Sequence, residues 1–70
     1  MEKSQENKLG RKIKALRLKL KLSQDEFARK ADVPYTTLTK IETGVIKSPS
    51  VYVMAKIAKA LTVSIEDLIS

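Results

Sequence analysis

The chain has 70 residues, a formal net charge of +6, and neither cysteine nor histidine. A chain of this length forms one small domain with a marginally sufficient core. Without cysteine there is no disulfide framework and no thiolate metal site, which favours an intracellular, cytoplasmic protein. Without histidine, the commonest general base and metal ligand is missing. We therefore expect a single domain over residues 1–70, with no cofactor, no metal site and no catalytic centre.

The positive charge is concentrated at the start of the chain. Residues 1–21 carry eight basic and two acidic side chains, which account for the whole net charge. Such a basic segment points to an anionic partner, first nucleic acid and second an acidic membrane. No apolar run approaches the roughly 20 residues of a membrane span, and the first residues lack a signal-peptide pattern. We therefore expect no membrane partner.

Hydrophobic spacing predicts the first helix at about residues 7–21, after a polar arm at residues 1–7. One face of this helix carries apolar residues at helical spacing, which are Leu9, Ile13, Leu16 and Leu20. We expect all four to belong to the core.

Residues 22–44, LSQDEFARKADVPYTTLTKIETG, predict two short helices separated by a sharp turn. Ser23 and Glu26 have the spacing of a capping box, which begins the first of the two. Asp32 tolerates a left-handed backbone, and Pro34 disfavours the α conformation of the residue before it. The turn is therefore predicted at these residues.

The second helix of this pair has two different faces. Leu38 and Ile41 face inward, and Gly44 is a favourable residue just past the helix end. The outward face is polar, with Tyr35, Thr36, Thr39, Lys40 and Thr43. Threonine is a middling helix former, so three on one face are a poor choice for helicity alone. We prefer a binding face here to the alternative of a merely solvated one.

Two further helices complete the prediction. Pro49 and Ser50 suit the start of a fourth helix, whose apolar residues are Met54, Ile57, Ala58 and Leu61. Ser64 has the position of an N-cap, followed by acidic residues in the first turn of a fifth helix. No strand pattern or internal repeat occurs in the sequence. The predicted fold is all-α, a compact bundle of five short helices.

Three sequence signatures follow one another in this pattern. They are Leu-Ser-Gln at the start of the second helix, Ile-Glu-Thr-Gly at the end of the third, and Ala-Lys-Ala-Leu-Thr-Val-Ser before the last. In this order and spacing, the chain resembles the Cro/repressor-type (lambda-repressor-like) helix-turn-helix DNA-binding domains over about residues 9–69. The resemblance implies that helices two and three form the helix-turn-helix, with helix three, about residues 35–43, in the DNA major groove.

The resemblance also implies roles for individual residues. The DNA base-contacting candidates are Tyr35, Thr36, Thr39 and Lys40. The phosphate-contacting candidates are Gln24, Thr43 and Lys47. Arg17 of helix one and Glu42 of helix three are implied to form a structural ion pair.

The sequence departs from the family pattern at its turns. Asp32 and Thr62 stand where glycine is usual, and Pro34 replaces the usual N-cap serine. We expect the fourth helix to end by other means than a left-handed residue at Thr62. Thr36 or Thr37 is expected to cap helix three if that helix starts late.

Three classes of function are open at this stage. The first is a sequence-specific regulator of transcription, most simply a repressor, that binds double-stranded DNA at a palindromic operator as a homodimer. Its self-association surface is expected near Val45–Tyr52 or in the last helix. The second is a protein-interaction module of the same fold, such as an antitoxin or a bridging-type regulator. The third, an enzyme, finds no catalytic constellation, and no small-molecule site is evident.

Overall fold

Five α-helices form the part of the chain described by this computed structural model, residues 7–70. They are α1 (Lys8–Lys19), α2 (Gln24–Ala31), α3 (Tyr35–Thr43), α4 (Val51–Leu61) and α5 (Ile65–Ile69). No strand occurs within residues 7–70, and the Cα radius of gyration is 10.9 Å, close to the roughly 11 Å of a folded chain of this length. The predicted all-α bundle is therefore confirmed. The predicted arm lies outside the described residues, except for Asn7.

The helix starts follow the predicted capping pattern. Ser23 Oγ accepts from the Glu26 backbone N–H at 3.0 Å, and the Glu26 carboxylate accepts from the Ser23 N–H at 2.9 Å. The bond from the Ser23 N–H to the carboxylate, and after it the Ser23 side chain, hold the pKa of the exposed Glu26 carboxyl below its ordinary value. Ser64 and Asp67 form the same reciprocal pair at the start of α5. Both predicted N-caps are confirmed, and Ser50 caps α4.

The core lies where all five helices meet. α1 packs on α3 and α5, α2 packs on α3 and α4, and α4 packs on α5. The largest fully buried side chains are Ile13, Phe27, Leu38, Ile41, Ile57 and Leu68. No helix within residues 7–70 has the length and apolarity needed to cross a bilayer.

The prediction that Leu20 belongs to the core is wrong, because its side chain is 44% exposed. α1 ends at Lys19, and Lys21, two residues later, has a left-handed backbone with φ of 60°. The helical stripe therefore does not continue to Leu20. Leu9 and Leu16 of the same stripe are partly buried against the core.

The expectation for the end of α4 is also wrong. Thr62 itself adopts the left-handed conformation, with φ of 62°, as Asp32 does at the end of α2 with φ of 61°. At each end, the next residue donates its N–H to a carbonyl five residues back, as in a Schellman motif. Those next residues are Val33, which is buried, and Val63, which packs against the core. Burial of these valines compensates for the unfavourable backbone.

Candidate nucleic-acid interface

One side of α3 is buried, and the other side carries polar side chains. Its buried residues are Leu38, Ile41 and Glu42. The sequence-predicted base-contacting residues lie on the rest of its circumference: Tyr35, Thr36 and Lys40 are exposed, and Thr39 is half-buried. Five residues of α3, the four predicted base contacts and the exposed Thr43, thus form what we call the outer face of α3.

A buried polar network holds α3 against the two helices before it. Arg17 Nε donates to Glu42 Oε2 at 2.8 Å, and Nη2 donates to Oε1 at 3.1 Å. The third guanidinium nitrogen, Nη1, donates to the carbonyl of Leu22 at 2.7 Å, just before α2. The ion pair implied by the resemblance is thus present, with both side chains almost fully buried. It fixes the C-terminal turn of α3 relative to α1 and to the start of α2.

Gln24, the first residue of α2, extends this network. Its amide Nε2 donates to Glu42 Oε1 at 2.9 Å. Sequence reasoning placed Gln24 at a phosphate and missed this contact, because the partner lies 18 residues along the chain. A side-chain amide has two N–H donors. Since Glu42 takes one, the other can still donate to an anion.

The first turn of α1 approaches α3 closely. A Cβ atom at Gly10 would lie 2.3 Å from the carbonyl oxygen of Ile41. Asn7 Nδ2 donates to the carbonyl of Glu42 at 3.3 Å. Only glycine allows this approach, and nothing in the hydrophobic spacing marked Gly10 as a packing residue.

Two threonine hydroxyls on the outer face bond back to the helix. Thr39 Oγ1 donates to the carbonyl of Thr36 at 2.9 Å, and Thr43 Oγ1 donates to the carbonyl of Thr39 at 2.9 Å. Thr43 was predicted to contact phosphate, an acceptor. To donate to phosphate, its hydroxyl has to leave the helix carbonyl.

α3 does not start late. It begins at Tyr35, directly after Pro34, which has the extended backbone of an N-cap residue and no side chain able to cap. Thr36 and Thr37 therefore lie within the helix and do not provide the expected cap.

The segment after α3 exposes apolar side chains. Val45 is 71% exposed, Val51 64% and Tyr52 78%, whereas Ile46 packs partly against the core. Lys47, the third predicted phosphate contact, is exposed in the same segment. Part of the predicted self-association surface is thus open to solvent, as is Ile69 of α5.

Within residues 7–70, no group of three or more His, Cys, Asp or Glu side chains could hold a metal ion. Every buried side-chain nitrogen or oxygen in this part of the chain has a hydrogen-bond partner.

α2 and α3 follow one another and are joined by a short turn in which Asp32 has a left-handed backbone. With the polar outer face of α3, this arrangement is typical of a helix-turn-helix domain. A family model described as helix-turn-helix matches residues 13–68. The chain belongs to the Cro/C1-type helix-turn-helix family of DNA-binding domains.

A similar solved structure is described as the crystal structure of SinR, the master regulator for biofilm formation, in complex with DNA. Its sequence is 32% identical to this chain, with a TM-score of 0.86. The alignment covers 89% of this chain and 98% of that one. A comparison with curated proteins gave no match.

Proposed function

We propose that this chain is a transcription regulator that binds double-stranded DNA at a specific sequence through α3. The observation that carries the proposal is the outer face of α3, held rigidly by the buried contacts of Arg17, Gln24 and Glu42. The similarity to SinR, whose structure contains DNA, supports it. In this proposal α3 enters the major groove, where base edges can be read.

The outer face has the chemistry of base recognition. Lys40 can donate to O6 and N7 of guanine, and Thr36 and Thr39 offer hydroxyls to base edges and methyl groups to thymine. Tyr35, at the first position of α3, can contact a base or a phosphate. These four residues are the proposed base contacts.

The proposed phosphate contacts lie beside that face. Gln24 donates its second amide hydrogen, and Lys47 supplies a cation. Thr43 contributes only after its hydroxyl rotates away from Thr39. Such contacts fix the orientation of a protein on the duplex without reading its sequence.

We further propose that the chain is a cytoplasmic repressor that binds a palindromic operator as a homodimer. One helix reads few base pairs, so a two-fold dimer gains specificity from two half-sites. The exposed Val45, Val51 and Tyr52 supply apolar surface for the contact between copies. Sedimentation that shows single chains bound to half-sites without cooperativity would contradict the dimer.

A second candidate function rests on the same apolar side chains. Val45, Val51 and Tyr52 lie outside α3 and could receive a different protein instead of a second copy. In that case DNA binding is secondary, and substitutions on the outer face of α3 leave complex formation intact.

Selection of bound duplexes from a random pool tests the proposal. The wild-type chain should enrich a two-fold symmetric motif, and Lys40→Ala should lose or change it. Lys19→Ala is the matched control, since Lys19 is an exposed lysine of α1. It should keep the motif and lower the overall affinity modestly, because one lysine fewer reduces the counterion release that favours binding. Salt-sensitive binding without an enriched motif would contradict sequence-specific recognition.

A further inference from the structure

The three threonines on the outer face of α3 differ in the use of their hydroxyl protons. The protons of Thr39 and Thr43 are directed at helix carbonyls, at 2.9 Å in each case. The hydroxyl of Thr36 makes no hydrogen bond to any other group within residues 7–70 and can turn either way. The internal bonds therefore decide which of these hydroxyls is already used as a donor, and the sequence does not show this.

A hydroxyl has one proton and two acceptor lone pairs. Because the Thr39 proton is donated to the Thr36 carbonyl, Thr39 Oγ1 is left as an acceptor. It can receive a hydrogen bond from DNA and keep its internal bond. Donating to DNA would instead break that bond. The acceptor role is therefore favoured for this side chain.

In the major groove, the base-edge hydrogen-bond donors are the amino groups N6 of adenine and N4 of cytosine. Guanine O6 and N7, adenine N7 and thymine O4 are acceptors. We propose that Thr39 reads one such amino group as a hydrogen-bond acceptor, next to Lys40, which reads acceptors as a donor. The inference rests on the proposed function, since it concerns the same face of α3.

Base identity alone does not test this proposal, because each base pair carries one major-groove amino group. The test deletes atoms. In the selected duplex, each adenine is replaced in turn by purine, which lacks the amino group, and each cytosine by the analogue that lacks N4. Replacement by 7-deazapurines removes the N7 acceptor in a parallel series. Fluorescence anisotropy gives the affinity of each duplex for wild type and for Thr39→Val, which retains the shape and lacks the hydroxyl.

One amino deletion should weaken wild-type binding by about two- to tenfold, the range of a single hydrogen bond. The same deletion should leave binding by Thr39→Val unchanged. Thr39→Ser, which keeps the hydroxyl, should retain the sensitivity. Thr37→Val, the same substitution at a half-buried position of α3 outside the outer face, should also retain it.

Two results would overturn the assignment. In the first, Thr39→Val abolishes the sensitivity to an N7 deletion instead, which would make Thr39 a donor. In the second, Thr39→Val changes the sensitivity to no base-atom deletion. In either case an enriched motif that depends on Lys40 would leave the proposed function standing. A wild-type chain that enriches no motif would reject both.

Discussion

The buried ion pair between Arg17 and Glu42 is the structural connection on which the placement of α3 depends. The two side chains are 6% and 2% exposed. Arg17→Met removes both donated bonds to the carboxylate and the bond to the Leu22 carbonyl. Within residues 7–70, Gln24 is then the one remaining side-chain hydrogen-bond partner of the buried Glu42 carboxylate.

The expected loss is large for so small a domain. Removal of one partner of a buried pair costs about 3–5 kcal/mol, because the other charge is left uncompensated. A domain of this length has a total free energy of unfolding of about 4–10 kcal/mol. At roughly 4–8 °C for each kcal/mol, Arg17→Met should lower the Tm by roughly 12–40 °C.

Two companion variants separate the ion pair from general damage. The double variant Arg17→Met with Glu42→Met replaces the pair by apolar side chains, which is often neutral or stabilising. It should therefore be more stable than the single variant. Arg17→Lys keeps a charge but cannot form the same forked contact, so its stability should lie between wild type and Arg17→Met.

Urea unfolding followed by far-ultraviolet circular dichroism measures these differences. A loss below about 0.5 kcal/mol for Arg17→Met, the range of ordinary surface substitutions, would refute the reasoning. A double variant no more stable than the single one would refute it too, since the penalty would then not come from a stranded carboxylate.

Three further predictions concern the framework. Thr62→Gly should raise the free energy of unfolding by about 1 kcal/mol, because the left-handed backbone at φ of 62° is unfavourable for threonine; thermal unfolding measures it. Gly10→Ala should lower it by about 1–3 kcal/mol, because the new Cβ would meet the Ile41 carbonyl at 2.3 Å. Glu26→Gln should destabilise the chain at neutral pH and progressively less on acidification. Because the pKa of Glu26 is lowered in the folded state, the stabilisation by its carboxylate is fully present at pH values above the unfolded-state pKa. It is lost as the pH falls through the folded-state pKa.

Matched substitutions control these three predictions. Thr37→Gly, within α3, should destabilise the chain, in contrast to Thr62→Gly. Lys14→Ala, at an exposed position of α1, should change stability little, in contrast to Gly10→Ala. Glu66→Gln affects an exposed glutamate without a capping-box bond and should change stability less at neutral pH than Glu26→Gln. A variant and its control that behave alike would contradict the prediction concerned.

Local interactions explain why the helix starts could be predicted. The caps at Ser23 and Ser64 join residues three apart, so the sequence contains both partners of each bond. Helix ends were harder. Lys21 and Thr62 adopt left-handed conformations that their side chains do not favour, and the burial that compensates at Thr62 depends on tertiary packing. The error at Leu20 has the same origin, since periodicity alone does not show where the backbone turns.

The candidate site divides in the same way. The polar outer face of α3 follows from helical spacing, and the pairing of Arg17 with Glu42 was implied by family resemblance. The bond from Gln24 to Glu42 and the contact of Gly10 with α3 join residues distant in sequence. The direction of the Thr39 hydroxyl depends on its rotamer. These three features depend on the three-dimensional packing of the helices, which the sequence alone does not show.

Atom deletion in the two grooves tests the insertion of α3 most directly. In the selected duplex, 7-deazaguanine removes the N7 acceptor from the major groove, and inosine removes the N2 amino group from the minor groove. Binding should weaken with 7-deazaguanine at one guanine, and Lys40→Ala should abolish that sensitivity, while inosine should have little effect. Sensitivity to inosine alone, unchanged by Lys40→Ala, would contradict major-groove recognition by α3.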